Sequence, residues 1–222
     1  VLHRGGYFKR HVLSGELTYT YYSSPQSRHS FSPLILSYEY MQRQTEAFSQ
    51  LLKDNPYLSV SMRDQFVPKA QYTYSYTSPS TKRHPINWDL TVSEAGNVLA
   101  GAYAMFGEKW NERGKTMFKN PFAQFFKIQT DLVKRWRMAD KSTLVGHVAA
   151  GAIFSYGNAQ SAPYYEQFYV GGANSVRAFN VRSIGPGRYH PANSKLSYIE
   201  QTGDVKLLAN LEYRQQLWGS LY

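Results

Sequence analysis

The feature that most constrains the fold is a side-chain period of two, sustained over unusually long segments. Phe126, Ile128, Thr130 and Leu132 alternate with Lys127, Gln129 and Asp131. Val205, Leu207, Ala209, Leu211 and Tyr213 alternate with Lys206, Leu208, Asn210, Glu212 and Arg214. Successive side chains of an extended chain point to opposite faces, so each run makes a strand with one apolar and one polar face. Residues 18–21 and 72–77 alternate aromatic with small polar side chains in the same way.

Seven extended segments follow, over residues 8–22, 29–41, 66–78, 84–98, 122–138, 142–156 and 203–217. Most exceed the usual strand length of roughly 5–6 residues. Long strands with one greasy and one charged face suit a transmembrane antiparallel β-barrel, whose apolar face meets lipid and whose polar face lines the lumen. In a soluble sandwich the apolar face would point inward; strand length and aromatic content favour the barrel. Tyr7, Tyr21, Tyr22, Trp88, Trp110, Trp136 and Tyr156 fall near segment ends, where interfacial girdles lie. The connections alternate between short (23–28, 79–83, 139–141) and long (41–65, 99–121, 157–203). Outer-membrane barrels have short periplasmic turns and long external loops, so the long connections are expected outside. Residues 46–53, stopped by Asn55 and Pro56, are expected to form a helical turn or two.

An open sheet edge cannot sit in lipid, so a barrel must close. Seven is an odd number of strands, and residues 218–222 read as a turn entering another strand. The expectation is therefore an interior piece of a larger barrel, with residues 1–222 as part of one domain. The chain opens at Val1 with no signal peptide, which fits a mature end or an excised piece.

The formal net charge is +10. The charge is spread along the chain, and no basic helix or nucleic-acid module accompanies it, which argues against a nucleic-acid partner. Anionic membrane headgroups or a polar pore accommodate it equally well. There is no cysteine, which excludes a disulfide scaffold or thiolate metal site. No apolar run is long enough for a transmembrane helix. His3, His11, His29, His84, His147 and His190 form no metal-binding spacing. There is no G-x-S-x-G elbow. Asp89, Glu94, Asp131 and Glu212 are inward candidates for a carboxylate pair, although strand lumens are full of such groups. No catalytic residue, metal or cofactor is expected.

The stretch 169–190 stands apart. It is rich in Gly, Asn and Ser, yet carries Phe179, Val181, Ile184 and three arginines. A connection this long with apolar side chains is expected to fold back and pack against something.

Gly171-Gly172-Ala173-Asn174-Ser175-Val176-Arg177-Ala178-Phe179, followed by Ser183-Ile184-Gly185-Pro186, resembles the VRGF/Y loop of the BamA/TamA superfamily of outer-membrane assembly barrels. Residues 203–214 resemble the strand after that loop, and the two patches cover about a fifth of the chain. The resemblance implies a barrel of about sixteen strands preceded by periplasmic POTRA domains, of which this chain holds roughly the sixth to twelfth. It implies insertion or export of other outer-membrane proteins, in a Gram-negative outer membrane, by parting of the first and last strands to template a substrate strand. The implied partners are outer-membrane lipids and lipopolysaccharide, nascent outer-membrane proteins, and periplasmic or inner-membrane assembly partners. Residues 184–189 look closer to TamA-like members than to BamA. BamA itself, a passive porin, a two-partner-secretion pore and an outer-membrane hydrolase are the other readings.

Residue by residue, the resemblance makes Arg177 the loop arginine, tucked into the lumen against acids of the barrel wall. Glu212 matches the acid on the following strand, and the alternation puts it on the polar face. In a half-dry lumen, removal of one partner strands the other and costs roughly 3–5 kcal/mol. The sequence departs from the family pattern at Ala178, where the family has Gly, which leaves the local turn geometry open. In the external connection, Lys109, Arg113, Lys115 and Lys119 are candidates for lipopolysaccharide phosphate contact, against the plainer reading of a solvated loop.

Overall fold

A computed structural model describes residues 2–4, 8–54, 64–79, 81–110, 112–173, 175–185, 187 and 202–217. The chain folds as one antiparallel sheet. Its strands are β1 (Leu2–Arg4), β2 (Phe8–Ser24), β3 (Ser27–Gln44), β4 (Gln65–Thr77), β5 (Ile86–Ala95), β8 (Phe125–Ala139), β9 (Ser142–Ser155) and β10 (Val205–Gln215). A two-residue hairpin, β6 (Thr116–Met117) with β7 (Asn120–Pro121), lies in the β5–β8 connection. The helices are α1 (Glu46–Asp54), after β3, and α2 (Asn97–Met105), after β5.

Strands follow one another around the sheet in chain order, with β1 and β10 at its edges. All seven long strands coincide with the period-two segments. The short β1 has no such pattern and adds an eighth strand beside β2. The helix at 46–54 takes the place expected of it. The second helix was not expected: it begins where the 84–98 segment was read as continuing, because Gly96 turns the chain at φ 77°. The pairing of β3 with β4 slips between Ser32 and Ile35. Pro33 lies in that gap, as a residue with no ladder N–H must.

The register fixes both faces. Trp88, Leu132, Val148 and Ala209 lie side by side across β5, β8, β9 and β10. Tyr72, Val92, Ile128 and Ala152 form a parallel row. These rows, with Leu207 and Leu211, make one continuous apolar face. The opposite face carries Lys69, Asp89, Lys127, Asp131, Arg135, His147 and Glu212. Tyr21 and Trp88 lie on the apolar face near the short turns, and so does Trp136, which Lys134 approaches at 5.2 Å from its ring centre. Glu94 pairs with Ala70 and Phe126 on the apolar face. It is therefore not an inward partner for Asp89 and Asp131, as alternation along β5 alone dictates.

Two apolar clusters lie on opposite sides of the sheet. Val67, Ala95, Ala123, Phe125, Ile153 and Ala162 pack on the polar side with Phe168. Phe66, Ala100 and Phe122 pack on the apolar side with Leu36, Tyr38, Leu99, Tyr103 and Met117. The first seats the connection after β9; the second seats α2.

Candidate functional site: the connection docked on the polar face

The connection from β9 to β10 folds back over the polar face of the sheet. Tyr156 N–H donates to the Gln124 carbonyl at 3.2 Å, and Asn158 N–H to Gln124 Oε1 at 3.0 Å. Asn158 Nδ2 then reaches the carbonyls of Lys115 and Phe122 at 2.8 and 3.0 Å. Its start is thus sewn to the β5–β8 connection through buried amides, whose four-way capacity suits a site where several backbone groups need partners.

Further on, the turn at 163–166 drives Glu166 into the sheet. Glu166 Oε1 accepts from Lys69 Nζ on β4 at 2.5 Å, and Oε2 from Lys127 Nζ on β8 at 3.1 Å. Lys127 Nζ also donates to the Glu166 carbonyl at 2.7 Å. All three side chains are largely buried. Burial pushes the Glu166 carboxyl up, but the charges and hydrogen bonds of Lys69 and Lys127 outweigh it and hold the group below the usual carboxylate range. One acid bridges two wall lysines that would otherwise repel across β5, and it offsets one of their two charges.

The next residues close the contact. Phe168 lies over Gly151, where an added Cβ would meet the ring at 2.5 Å, and Lys127 Nζ sits 5.0 Å from its ring centre. Only glycine leaves room for the ring at that point of β9. Phe168 also bridges to Gly203, which returns the chain to β10.

The 171–185 turn then folds on itself. Gly171 and Gly172 have φ of 102° and 91°. Gly172 N–H donates to the Phe179 carbonyl at 2.8 Å, and Arg182 N–H to the Val170 carbonyl at 2.9 Å. Val170 bridges to Ile184, and Gly185 follows at φ 88°. The Arg182 guanidinium lies between Tyr164 and Tyr169, 4.8 Å from each ring centre, a two-sided cation–π contact. Pro186 lies outside the described residues. Val176 accepts from Phe179 N–H at 3.1 Å, while Phe179 and Val181 stay half exposed. The connection therefore packs through Glu166, Phe168 and Arg182 rather than through the apolar residues of the 169–190 stretch.

Ala178 is absent from the positive-φ residues, which among the described non-glycine residues are Phe118, Lys119 and Arg182. An alanine there carries no left-handed backbone strain, so its departure from the glycine pattern is accommodated.

Arg177 and Glu212 come near each other without forming a buried pair. Arg177 Nη2 lies 4.0 Å from Glu212 Oε2, and the side chains are 73% and 41% exposed. Glu212 is held instead by Arg214, which donates from Nε and Nη2 at 3.0 Å each. That fork is available because residues i and i+2 share a strand face. Between the 173–177 turn and the wall lies a recess of about 220 Å³, lined from the loop by Ser175 and Arg177 and from the strands by His147, Asn210 and Glu212. Asn210 Nδ2 crosses it to the Ser175 carbonyl at 3.3 Å.

Elsewhere on the polar face, Asp89 and Asp131 stand directly opposite each other, and His147 Nε2 sits 2.9 Å from Asp131 Oδ2. Of the four candidate cations of the β5–β8 connection, Lys109, Arg113 and Lys119 are exposed. Lys115 is only 6% exposed. Its ammonium donates to the carbonyls of Lys109 and Trp110 at 2.5 and 3.1 Å. Its ammonium is turned into its own loop, unlike the charged groups of the other three candidates.

A family model described as the Omp85 superfamily domain matches residues 100–222, which includes the docked connection, the two strands it joins and β8. The chain belongs to the Omp85 superfamily. The outer membrane protein assembly factor BamA of Nitratidesulfovibrio vulgaris is 30% identical over 89 residues, which is 40% of this chain. The matched stretch spans 10% of that relative's length. For this Omp85 chain, Glu166 and Arg182 are the site residues that sequence patterning does not single out. Glu166 lies between Tyr165 and Gln167 with no motif around it. Arg182 was visible only as one of three arginines in a glycine-rich stretch.

Proposed function

We propose that this chain forms part of the wall of a closed outer-membrane β-barrel of about sixteen strands, in a machinery that inserts or exports other outer-membrane proteins. In this reading the apolar face meets lipid, the polar face lines the lumen, and the β9–β10 connection is the lumenal loop. The protein is not an enzyme, and its substrates are nascent outer-membrane proteins. The observation that carries the reading is the docking of a long connection on the polar face through Glu166, Lys69 and Lys127. A loop clamped across the wall braces the barrel and narrows its pore, which suits an assembly barrel better than a passive porin.

The TamA-like assignment is supported by residues 184–189, and the likeness to a BamA favours BamA proper as the second reading. The test is depletion of the protein in its own cell. An assembly role requires loss of folded, heat-modifiable outer-membrane proteins on gels. Unchanged levels, together with steady large conductance of the purified protein in planar bilayers, would identify a porin instead.

A further inference from the structure

The β5–β8 connection carries a surface that the docked loop does not use. Helix α2 has no charged residue and is apolar on every side. Leu99, Ala100 and Tyr103 pack on the apolar face of the sheet against Phe66 and Phe122. The other side presents Val98, Met105 and the capping Phe106, the last two 89% and 90% exposed. A helix greasy all round belongs in a core or a membrane, not in water. Helix α1, on the same side of the sheet's ends, shows the contrast: Phe48 is buried while Glu46, Gln50, Lys53 and Asp54 are exposed.

Three further observations point the same way. Trp110 packs back onto the helix, 3.7 Å from where a Cβ on Gly101 would sit. The β6–β7 hairpin turns through Phe118 and Lys119 at φ 53° and 69°, two positions that hairpins normally give to Asn and Gly. This strained tip presents an exposed ring beside a cation, and backbone strain gathers at functional sites. Tyr38 and Phe66 of the apolar face hold the Phe118 ring edge-on at 6.2 and 5.6 Å, and Tyr38 donates to the Phe118 carbonyl at 3.2 Å. Lys109, Arg113 and Lys119 are exposed in the same connection, along with Glu108 and Glu112.

We infer that α2 and the hairpin tip lie in the outer leaflet, with Val98, Met105, Phe106 and Phe118 among acyl chains and Lys109, Arg113 and Lys119 on anionic headgroup phosphates. The inference rests on the outer-membrane reading above. The occupant is lipid because the patch continues the apolar face, and because in the same connection the exposed cations Lys109, Arg113 and Lys119 outnumber the exposed acids Glu108 and Glu112, a balance that favours anionic headgroups. Lys115, by binding two carbonyls of the 109–110 segment, keeps that segment beside the helix.

The chain has no cysteine, so single-cysteine variants carry no background from it. Met105→Cys, Phe106→Cys, Gln50→Cys and Leu207→Cys are each labelled with an environment-sensitive dye in the intact protein, reconstituted into vesicles of anionic phospholipid. Expected is blue-shifted emission at Met105 and Phe106, quenched by lipid brominated near the headgroup, with a water-like signal at Gln50 and quenching at Leu207 by lipid brominated deeper. Water-like, unquenched emission at Met105 and Phe106 with quenching at Leu207 overturns the inference and leaves the barrel standing. Blue-shifted but unquenched emission there assigns the face to a protein partner or second copy and also overturns it. No quenching at Leu207 removes the barrel reading, and the inference with it.

Discussion

The Glu166 carboxylate lies 2.5 Å from Lys69 Nζ, and these two residues, 97 apart in the chain, tie the β9–β10 connection to the middle of the sheet. Lys127 closes the cluster from β8. The acid is the sensitive member of this cluster, because its removal leaves two buried cations without a counter-charge, whereas removal of either lysine leaves a matched pair.

Glu166→Gln is therefore expected to destabilise the docked connection by about 3–5 kcal/mol, the cost of breaking a buried pair. Native-state hydrogen exchange reads it directly: amides of 166–185 should lose protection while those of β8 keep it. Loss spread evenly over the sheet would instead mean global destabilisation.

The same acid sets a pH dependence. Its folded pKa lies below the ordinary value of 4.5. The stability it adds is thus fully present above that ordinary value and is lost as pH falls below it through the lowered folded value. The wild-type connection should open to protease under acid before the sheet unfolds. The difference between wild type and Glu166→Gln should shrink over the same range. A difference that persists at low pH contradicts the assignment.

Arg177→Ala should matter much less to stability. At 4.0 Å and with both side chains exposed, the pair falls in the range of about 0–1 kcal/mol for surface ion pairs. Arg214 continues to hold Glu212. Heat-modifiability on gels should shift little, and Glu166→Gln should shift it more.

Gly171 and Ala178 should respond to very different extents. Gly171 has φ 102°, and a Cβ there would collide with the Asn180 carbonyl, so Gly171→Ala combines a clash with left-handed strain of about 1–2 kcal/mol. Ala178→Gly relieves nothing and should cost at most about 1 kcal/mol through chain entropy. Thermal melts of the two variants check the order.

Lys115→Met removes the ammonium that holds the Lys109 and Trp110 carbonyls. Two acceptors lose their partner, and the 106–115 segment should become the first site of limited proteolysis.

Strand placement was legible because period two repeats over every long element, and β2, β3, β4, β5, β8, β9 and β10 each carry it. The resemblance located Arg177 and Glu212, and the alternation put Glu212 on the polar face. That their pair is long and exposed was not legible, since Glu212 is also held by Arg214 two residues along the same strand. Glu166 was hidden because its meaning lies in Lys69 and Lys127, 97 and 39 residues away, and no local pattern encodes such a meeting. Lys115 looked like its neighbours Lys109 and Lys119 in sequence; only the fold of the connection turns it inward. Helix α2 was masked because its first two residues extend the 84–98 segment and the rest falls in the long 99–121 connection, with an apolar run that has no amphipathic period to mark it as helix.

The central claim is that the β9–β10 connection docks on the polar face. Ser175→Cys with Asn210→Cys, bridged by a short bismaleimide in the membrane-embedded protein, tests it most directly, because Asn210 Nδ2 reaches the Ser175 carbonyl at 3.3 Å. The account predicts efficient bridging for that pair and none for Ser175→Cys with Leu211→Cys, one residue along on the apolar face. Failure of the first pair, or equal bridging of both, would contradict it.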